Sequence, residues 1–330
     1  MTTKKLTTSA MIASIAEEGQ ATIPAPFGHA LVELAKNHDD IVGMSADLAA
    51  YTDLHIFSRE YPERFYQMGM AEQLLMSAAA GMAREGATPF VTTYAVFAAR
   101  RAYDFICMAI AEEKLNVKII CALPGLTTGY GPSHQATEDI AIFRGMPNMT
   151  IIDPCDAIDI QQAVPAIYEH AGPVYMRLLR GKVPVILDRF PDYKFEVGKA
   201  KLLVDGHQAL IISTGLMTMR AIQARDLLEK EGISVAVLHS PTIKPLDEET
   251  ICQEAKKRNC LVITAENHTV IGGLGEAVAS TLMRNGIHRP FRQVGLPDEF
   301  LDAGALPTLH DRYEISARSL ASNIASWIKP

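Results

Sequence analysis

The strongest candidate for chemistry in this sequence is a lone acid, Glu72, in the stretch Tyr66 to Gln73, YQMGMAEQ. It precedes the small-residue run from Ser77 to Ala83, which is typical of a helix packed closely against another backbone. A carboxylate near such an interface is costly unless it is paired or hydrogen-bonded. The stretch therefore permits two interpretations: an acid favoured by a helix dipole, and a catalytic proton relay.

A second candidate is the glycine-rich loop from Pro124 to Gln135, which carries His134. The cluster Gly272-Gly273-Leu274-Gly275 permits a phosphate cradle at a helix N-terminus, although a tight strand-to-helix turn explains it more simply. His268, in Glu266-Asn267-His268, is the other histidine that stays open to a functional role. Motifs of the GxSxG, HExxH and GxxxxGK[ST] types are absent.

Composition excludes several classes of partner. The 330-residue chain has a net charge of -7 and no basic block, so neither nucleic acid nor a membrane is expected as a partner. Its five cysteines form no CxxC pair or zinc spacing, which predicts reduced thiols in a cytoplasmic protein. Residues 1–21 are expected to form an N-terminal arm or a short docking helix, because their apolar run is too short for a signal sequence or a membrane span.

The elements that must position these residues follow an α/β rhythm, which predicts a parallel sheet covered by helices on both faces. The patterns predict strands at 41–45, 88–94, 117–123, 149–152 and 174–178, and helices at 27–35, 97–113, 136–145 and 156–170. Ligands on such sheets bind at the carboxyl ends of the strands. Asp47, Tyr94 and the loop ending in His134 fall there.

Two doubly wound α/β domains are expected. The first covers residues 22–182, and a linker is predicted over 183–200, where glycine and proline interrupt the periodicity. The second, smaller domain covers 201–330. Its predicted elements are strands at 209–215, 234–238 and 260–266, a helix at 217–231 and a helix entered through the 272–275 glycines.

Several ordered motifs together resemble the transketolase family. They are Ser45-Ala46-Asp47-Leu48, Gly69-Met70-Ala71-Glu72-Gln73, Gly131-Pro132-Ser133-His134-Gln135, Met146-Pro147-Asn148-Met149, Leu179-Arg180-Gly181-Lys182-Val183-Pro184, and Glu266-Asn267-His268 with the 272–275 glycines. The resemblance covers the chain from about residue 22. It implies the carboxyl-terminal half of a transketolase, a pyrimidine-binding domain followed by the C-terminal domain.

The resemblance implies a role for matching residues on the cofactor side. Glu72 matches the acid that hydrogen-bonds N1′ of the aminopyrimidine of thiamine diphosphate and so promotes deprotonation of thiazolium C2. Tyr94 and Phe97 match aromatic residues that surround the pyrimidine ring, or they simply fill the core. Asp47 matches an acid at the cofactor end of its strand, where it is expected to fix the local loop.

On the substrate side, His134 matches a histidine that faces the sugar and can donate to a hydroxyl or a developing alkoxide. Arg180 matches an arginine that clamps the substrate phosphate. Tyr130 is also expected to bind the substrate; it lies where the family loop carries acids, and the loop here is one residue shorter. Arg100 stands where a tyrosine is common and is expected to supply a replacement cation if it faces the pocket.

The departures from the family pattern are also informative. No Gly-Asp-Gly motif occurs in the sequence, so the Mg²⁺ ligands are expected from another chain. This implies the β subunit of a split transketolase, with an N-terminal partner subunit that carries the Gly-Asp-Gly diphosphate motif, self-association through the β subunits and an α2β2 assembly. An acid that reads the sugar's C2 hydroxyl is missing, as are a histidine near Leu123 and an arginine near Ile23-Pro24. An unusual anionic sugar, such as a branched sugar phosphate or a sulfonated ketose, is therefore expected as substrate.

Three functions stay open at this point. The first is transfer of a two-carbon ketol unit from a ketose to an aldose. The second is the β subunit of a 2-oxoacid dehydrogenase, although Gly-Pro-Ser-His-Gln followed by Glu138-Asp139 favours a transketolase. The third is a non-catalytic scaffold or regulatory homologue, against which the presence of Glu72, His134 and Arg180 argues.

Overall fold

A computed structural model describes residues 15, 16 and 19–328 of the chain. Most of the expected N-terminal arm, residues 1–14, 17 and 18, therefore lies outside the described residues. Among the helices in the described part, none is long and apolar enough to cross a membrane.

The described residues form α/β layers, as the sequence predicts. The strands are β1 (Thr22–Pro24), β2 (Ile41–Ser45), β3 (Phe65–Gln67), β4 (Thr88–Tyr94), β5 (Lys118–Ala122), β6 (Thr150–Ile152), β7 (Val174–Leu178), β8 (Lys182–Pro184), β9 (Lys201–Val204), β10 (Ala209–Ser213), β11 (Val235–His239), β12 (Thr242–Lys244), β13 (Leu261–Thr269) and β14 (Phe291–Leu296). The helices are α1 (Pro26–Ala35), α2 (His55–Glu60), α3 (Glu72–Arg84), α4 (Ala95–Arg101), α5 (Tyr103–Ile106), α6 (Asp139–Arg144), α7 (Ala157–Glu169), α8 (Leu216–Lys230), α9 (Glu248–Lys257), α10 (Leu274–Arg284), α11 (Leu306–Arg312) and α12 (Ala317–Ile328).

The first sheet has seven strands in the order β12-β6-β7-β5-β4-β2-β3. All its strands are parallel except β12, which pairs antiparallel to β6. The segments that carry Asp47, Glu72, Tyr94, His134 and Arg180 leave β2, β3, β4, β5 and β7 respectively. They therefore meet at one edge of the sheet, where parallel α/β sheets bind ligands.

The second sheet has five strands in the order β14-β13-β10-β11-β9, with only β9 antiparallel to its neighbour. Since β12 follows β11 in the chain but pairs with β6, the second domain adds an edge strand to the first sheet. One apolar core runs through the first domain and continues under α8 and α12, and a smaller core lies between the second sheet and helices α9 and α10.

A buried ion cluster also joins the two domains. Arg177 on β7 donates two hydrogen bonds to Asp139, at 2.9 and 3.1 Å, and one to Asp153 at 3.0 Å. It also donates to the main-chain oxygen of Asn267 at 2.9 Å. These donors and acceptors satisfy a charge that would otherwise be very costly to bury.

Two regions differ from the sequence prediction. The single helix expected at 97–113 is instead α4, α5 and a π-helical turn at Cys107–Ala111. The region predicted as an irregular linker contains most of β8, which pairs with β1, and a 3₁₀ turn at Leu187–Arg189. Tyr193 and Phe195 from this region are buried.

Candidate active site

Glu72 occupies the first turn of α3, with only 2% of its surface exposed. Nη1 of Arg101, the last residue of α4, donates a hydrogen bond to Glu72 Oε1 at 2.9 Å. Glu72 is therefore a buried acid with a half-exposed cation beside it. Sequence reasoning overlooked Arg101, although it lies four residues after Phe97 and so on the same face of a helix.

Three aromatic rings surround His134. Its ring centroid lies 6.0 Å from that of Tyr94, 5.5 Å from that of Phe97 and 5.2 Å from that of Tyr130. Tyr94 ends β4 and is buried, and Phe97 lies in the first turn of α4. The structure thus brings together four residues that the sequence analysis placed at the site.

His134 is poised to be neutral near physiological pH. Burial, followed by the positive charge of Arg101, lowers its pKa below the usual value. Its Nδ1 lies 2.9 Å from the hydroxyl oxygen of Ser133. A neutral imidazole can both donate and accept a proton, which suits a group that faces hydroxyls.

The loop that carries His134 is held from several directions. Nε2 of Gln135 donates to the main-chain oxygens of Thr128, at 3.2 Å, and Asp302, at 3.1 Å. Gly129 approaches Gly304 so closely that a Cβ on Gly129 would lie 2.0 Å from the Gly304 oxygen. Contacts from the second domain therefore fix the loop of the first.

Arg100 contacts this loop directly. Its guanidinium donates to the main-chain oxygens of Pro132, at 2.9 Å, and Gln135, at 3.4 Å, and it pairs with Glu138. These contacts make Arg100 a brace for the His134 loop. The expectation that it provides a cation for the substrate stays a prediction.

Arg180 lines a cavity of about 530 Å³, together with Asp53, His55, Leu123 and Lys182. Its guanidinium carbon lies 6.0 Å from the ring centroid of Tyr51. The cavity can therefore offer positive charge to an anionic group. That Arg180 binds the substrate stays a prediction.

Asp53 is a feature of this cavity that sequence reasoning missed. Its buried carboxylate accepts hydrogen bonds from the main-chain N–H of Gly181, at 3.0 and 3.2 Å. Burial raises the pKa of Asp53, against the opposing effects of the Gly181 hydrogen bond and the charge of Arg180. The contact joins positions 128 apart in the sequence, so no local pattern indicates it.

Asp47 is exposed and has a left-handed backbone with φ of 60°. Its main-chain N–H donates to Gln67 Oε1 at 2.6 Å. This contact ties the end of β2 to the end of β3. A role for Asp47 in cofactor binding stays a prediction.

The Glu266-Asn267-His268 segment and the 272–275 glycines form a structural junction. The Glu266 carboxylate accepts the N–H groups of Leu274, at 2.6 Å, and Gly275, at 2.8 Å, so it occupies the N-terminus of α10. A Cβ on Gly273 would lie 2.0 Å from Glu266 Oε2. A tight turn therefore explains these glycines better than a phosphate cradle.

His268 is buried, and its pKa is lowered to about 4, mainly by burial. Its Nε2 accepts a hydrogen bond from the main-chain N–H of Ala141 at 3.1 Å, while its Nδ1 lies 2.7 Å from the main-chain oxygen of Thr269. These contacts give His268 a structural role between the domains.

Within the described part of the chain, one group of side chains lies close enough together to share a metal ion: Cys155, Asp159 and His239. His239 Nε2 is 2.9 Å from Asp159 Oδ2, and the carboxylate also accepts from Cys155 N and the Tyr193 hydroxyl. All three side chains are buried. Their hydrogen bonds account for this group as a structural junction.

Two successive α/β domains, with a buried helix-terminal acid and a cluster of aromatic rings around a histidine at the strand ends, define the class of protein. Two family models match the chain: the transketolase pyrimidine-binding domain over residues 20–185 and the transketolase C-terminal domain over 198–320. The chain belongs to the transketolase family and corresponds to its C-terminal half.

Individual relatives agree with this assignment. The chain is 70% identical to a transketolase family protein of Sinorhizobium fredii, over 98% of this chain and 94% of the relative. It is 39% identical to a 6-deoxy-6-sulfo-D-fructose transketolase subunit of a Clostridium species, over 88% and 89% of the two chains. A solved structure described as a split gene transketolase, inactive beta4 tetramer, superposes with a TM-score of 0.82 at 39% identity, over 93% of this chain and 98% of that one.

Proposed function

We propose that this chain is the C-terminal subunit of a thiamine diphosphate-dependent split transketolase, which transfers a two-carbon ketol unit from a ketose to an aldose. The observation that carries this proposal is the placement of buried Glu72 near two aromatic rings at the carboxyl ends of the parallel strands. Arg101 contacts both Glu72 and the Phe97 ring, and the Phe97 ring centroid lies 5.6 Å from that of Tyr94. An aminopyrimidine needs a carboxylate acceptor at one ring nitrogen and flat apolar surfaces around it. The residues present fit that group.

The side chains divide the work between cofactor and sugar. Glu72 holds a proton on the pyrimidine, and the aromatic rings exclude water. When bound, thiamine diphosphate supplies the electron sink for carbanion chemistry. His134, kept neutral by its surroundings, donates to the sugar hydroxyl or carbonyl oxygen.

Arg180 and its cavity receive the anionic end of the sugar. The cavity wall contains Leu123 and Asp53 beside the cations, which is an unusual lining for a phosphate site. The Clostridium relative acts on a sulfonated sugar by its description. These observations support an anionic substrate other than the common pentose phosphates, either a branched sugar phosphate or a sulfonated ketose.

The activity requires a separate N-terminal subunit with the Gly-Asp-Gly motif, which supplies the Mg²⁺ ligands and holds the diphosphate. A surface next to Glu72 suits this partner, because four large apolar side chains on and around α3 and α5 are exposed: Met70, Leu74, Phe105 and Met108. Exposed apolar patches of this kind mark interaction sites. We place the complex in the cytoplasm as an α2β2 assembly that also self-associates through this subunit, and the β4 assembly of the solved relative supports the self-association.

Glu72→Gln in the reconstituted complex tests the proposal. Loss of a general acid-base group costs about 10²- to 10⁴-fold in rate, so ketol transfer should fall by that factor. Glu85→Gln, an exposed acid at the other end of α3, is the matched control and should leave the rate unchanged. Full activity of the Glu72→Gln complex would support the scaffold hypothesis instead.

Two substrate assays separate the remaining alternatives. Reaction with a 2-oxoacid and a lipoyl domain would indicate the dehydrogenase subunit. Xylulose 5-phosphate and ribose 5-phosphate as the best pair by a wide margin would contradict the proposal of an unusual anionic sugar.

A further inference from the structure

The guanidinium of Arg101 makes two contacts inside the candidate active site. It donates to Glu72 Oε1 at 2.9 Å, and its central carbon lies 4.2 Å from the centroid of the Phe97 ring. Its charge also reaches His134, whose pKa it lowers together with burial. Arg101 therefore contacts Glu72 and Phe97 and influences His134 through its charge.

These two contacts duplicate those that the proposed function gives to the aminopyrimidine. The guanidinium donates an N–H to Glu72 and lies over the Phe97 ring, and an aminopyrimidine held by the same acid and the same ring would need both of these contacts. Because the proposed function uses the same carboxylate and the same ring, the guanidinium and the pyrimidine would compete for these contacts.

Electrostatics gives a second reason for exclusion. Placing a proton on N1′ adds positive charge next to Glu72, and a guanidinium at hydrogen-bond distance from the same acid opposes that charge in a partly buried site. Arg101 must therefore leave Glu72 before the acid can act on the cofactor.

The side chain of Arg101 has room to change rotamer toward solvent, whereas the side chain of Glu72 is enclosed. The Arg101 side chain is about 50% exposed, whereas that of Glu72 is 3% exposed. Arg101 ends α4, and Ala102 separates α4 from α5. A rotamer change toward solvent therefore releases Glu72 without moving the helix that carries it.

We propose that Arg101 is a positioning residue for Glu72: it occupies the place of the aminopyrimidine in the subunit without cofactor, keeps the buried carboxylate in its binding orientation, and yields it when the cofactor enters. This proposal rests on the proposed function. It assigns Arg101 a part in cofactor entry that is separate from the chemistry of the bound cofactor.

The test uses the full chain and a fragment probe, 4-amino-5-hydroxymethyl-2-methylpyrimidine, the pyrimidine half of thiamine. Binding is measured by calorimetry or ligand-observed NMR for the wild type and for Arg101→Leu. We expect Arg101→Leu to bind about fivefold tighter, since the probe no longer has to break a half-exposed ion pair. Arg84→Leu, which removes the arginine of the Arg84–Glu113 pair at the other end of α3, is the matched control and should bind as the wild type does.

Two further variants make the result specific. Arg101→Lys, which keeps the charge but loses the planar fork, should fall between the wild type and Arg101→Leu. The double variant Arg101→Leu with Glu72→Gln should lose the gain in affinity. The pKa of His134, followed by NMR, should rise in Arg101→Leu because a nearby positive charge has been removed.

Equal or weaker probe binding by Arg101→Leu, including no detectable binding, would overturn the role of Arg101. If the probe still binds in a way that depends on Glu72, the proposed function survives that result. Probe binding that Glu72→Gln leaves unchanged in every background would instead contradict the assignment of Glu72 and with it both proposals.

Discussion

The main-chain N–H of Leu126 donates a hydrogen bond to Oδ1 of Asn267 at 2.9 Å, across the boundary between the two domains. The oxygen of Leu126 lies 2.8 Å from Nε2 of His310, also in the second domain. Leu126 begins the part of the loop that leads to His134. The side chains of Asn267 and His310 in the second domain therefore hold the main chain of this loop. They affect the position of the loop without touching the substrate.

Asn267→Ala tests this anchor. The substitution leaves the buried N–H of Leu126 without its acceptor, so the free energy of unfolding should fall by about 1–3 kcal/mol. Urea denaturation of the isolated chain measures it. Asn285→Ala, which removes an exposed side chain at the end of α10, should cost much less. Equal losses for the two variants would contradict the role of Asn267.

A pH dependence follows from His310. Burial lowers its pKa to about 4 in the folded protein, against a usual value of 6.5. Between these two pH values the unfolded chain binds more protons at His310 than the folded protein does. The stability that neutral His310 contributes is therefore fully present above pH 6.5 and is lost as the pH drops toward 4.

His310→Gln should therefore reduce the slope of the unfolding free energy against pH in this window. The reduction should be at most the amount that corresponds to a difference of about one bound proton between the unfolded and folded states. Urea denaturation at several pH values measures the slope. His207→Gln, at an exposed position, should leave it unchanged. An unaltered slope in His310→Gln would show that His310 does not carry this dependence.

The regular elements were predictable because their patterns are local. The strands Thr88–Tyr94 and Val174–Leu178 have the predicted bounds, since each is a short apolar or β-branched run between breaks. The family motifs drew attention to Tyr94, Phe97 and Tyr130 as well as to His134, and the structure places the three aromatic rings around the imidazole.

The remaining features depend on contacts between distant parts of the chain. The pairing of β12 with β6, and the hydrogen bond from Gly181 to Asp53, join segments that no periodicity connects. The predicted 97–113 helix breaks at Ala102, although this stretch contains no glycine or proline that would indicate a break. Arg101 escaped notice because a helical arginine usually faces solvent, and only the fold shows that it reaches Glu72.

The close approach of Gly273 to Glu266 predicts a large difference between two glycine substitutions. Gly273→Ala would place a Cβ 2.0 Å from Glu266 Oε2 and displace the acid from the α10 N-terminus, at a cost of about 1–3 kcal/mol. Gly81→Ala, inside α3, would place a Cβ where no described atom beyond its chain neighbours and the adjacent helix backbone lies within 4 Å, and it should stabilise the isolated chain by about 0.5–1 kcal/mol. Thermal unfolding compares them, and a neutral Gly273→Ala would contradict the cap.

Arg100→Leu separates two roles for that residue. If Arg100 braces the loop, the substitution should lower kcat of the complex by about tenfold with little change in KM, because His134 loses its position. A residue that binds the substrate would instead raise KM. Arg189→Leu, which breaks the exposed pair with Asp226, should change neither constant.

The most direct test of the central claim is an affinity capture of the full chain from its native lysate, with mass identification of the bound protein and an assay for thiamine diphosphate. We predict a stoichiometric partner that carries Gly-Asp-Gly, together with bound cofactor whose retention is weakened by Glu72→Gln. Recovery of this chain alone, without thiamine diphosphate even after its addition with Mg²⁺, would contradict a split thiamine enzyme.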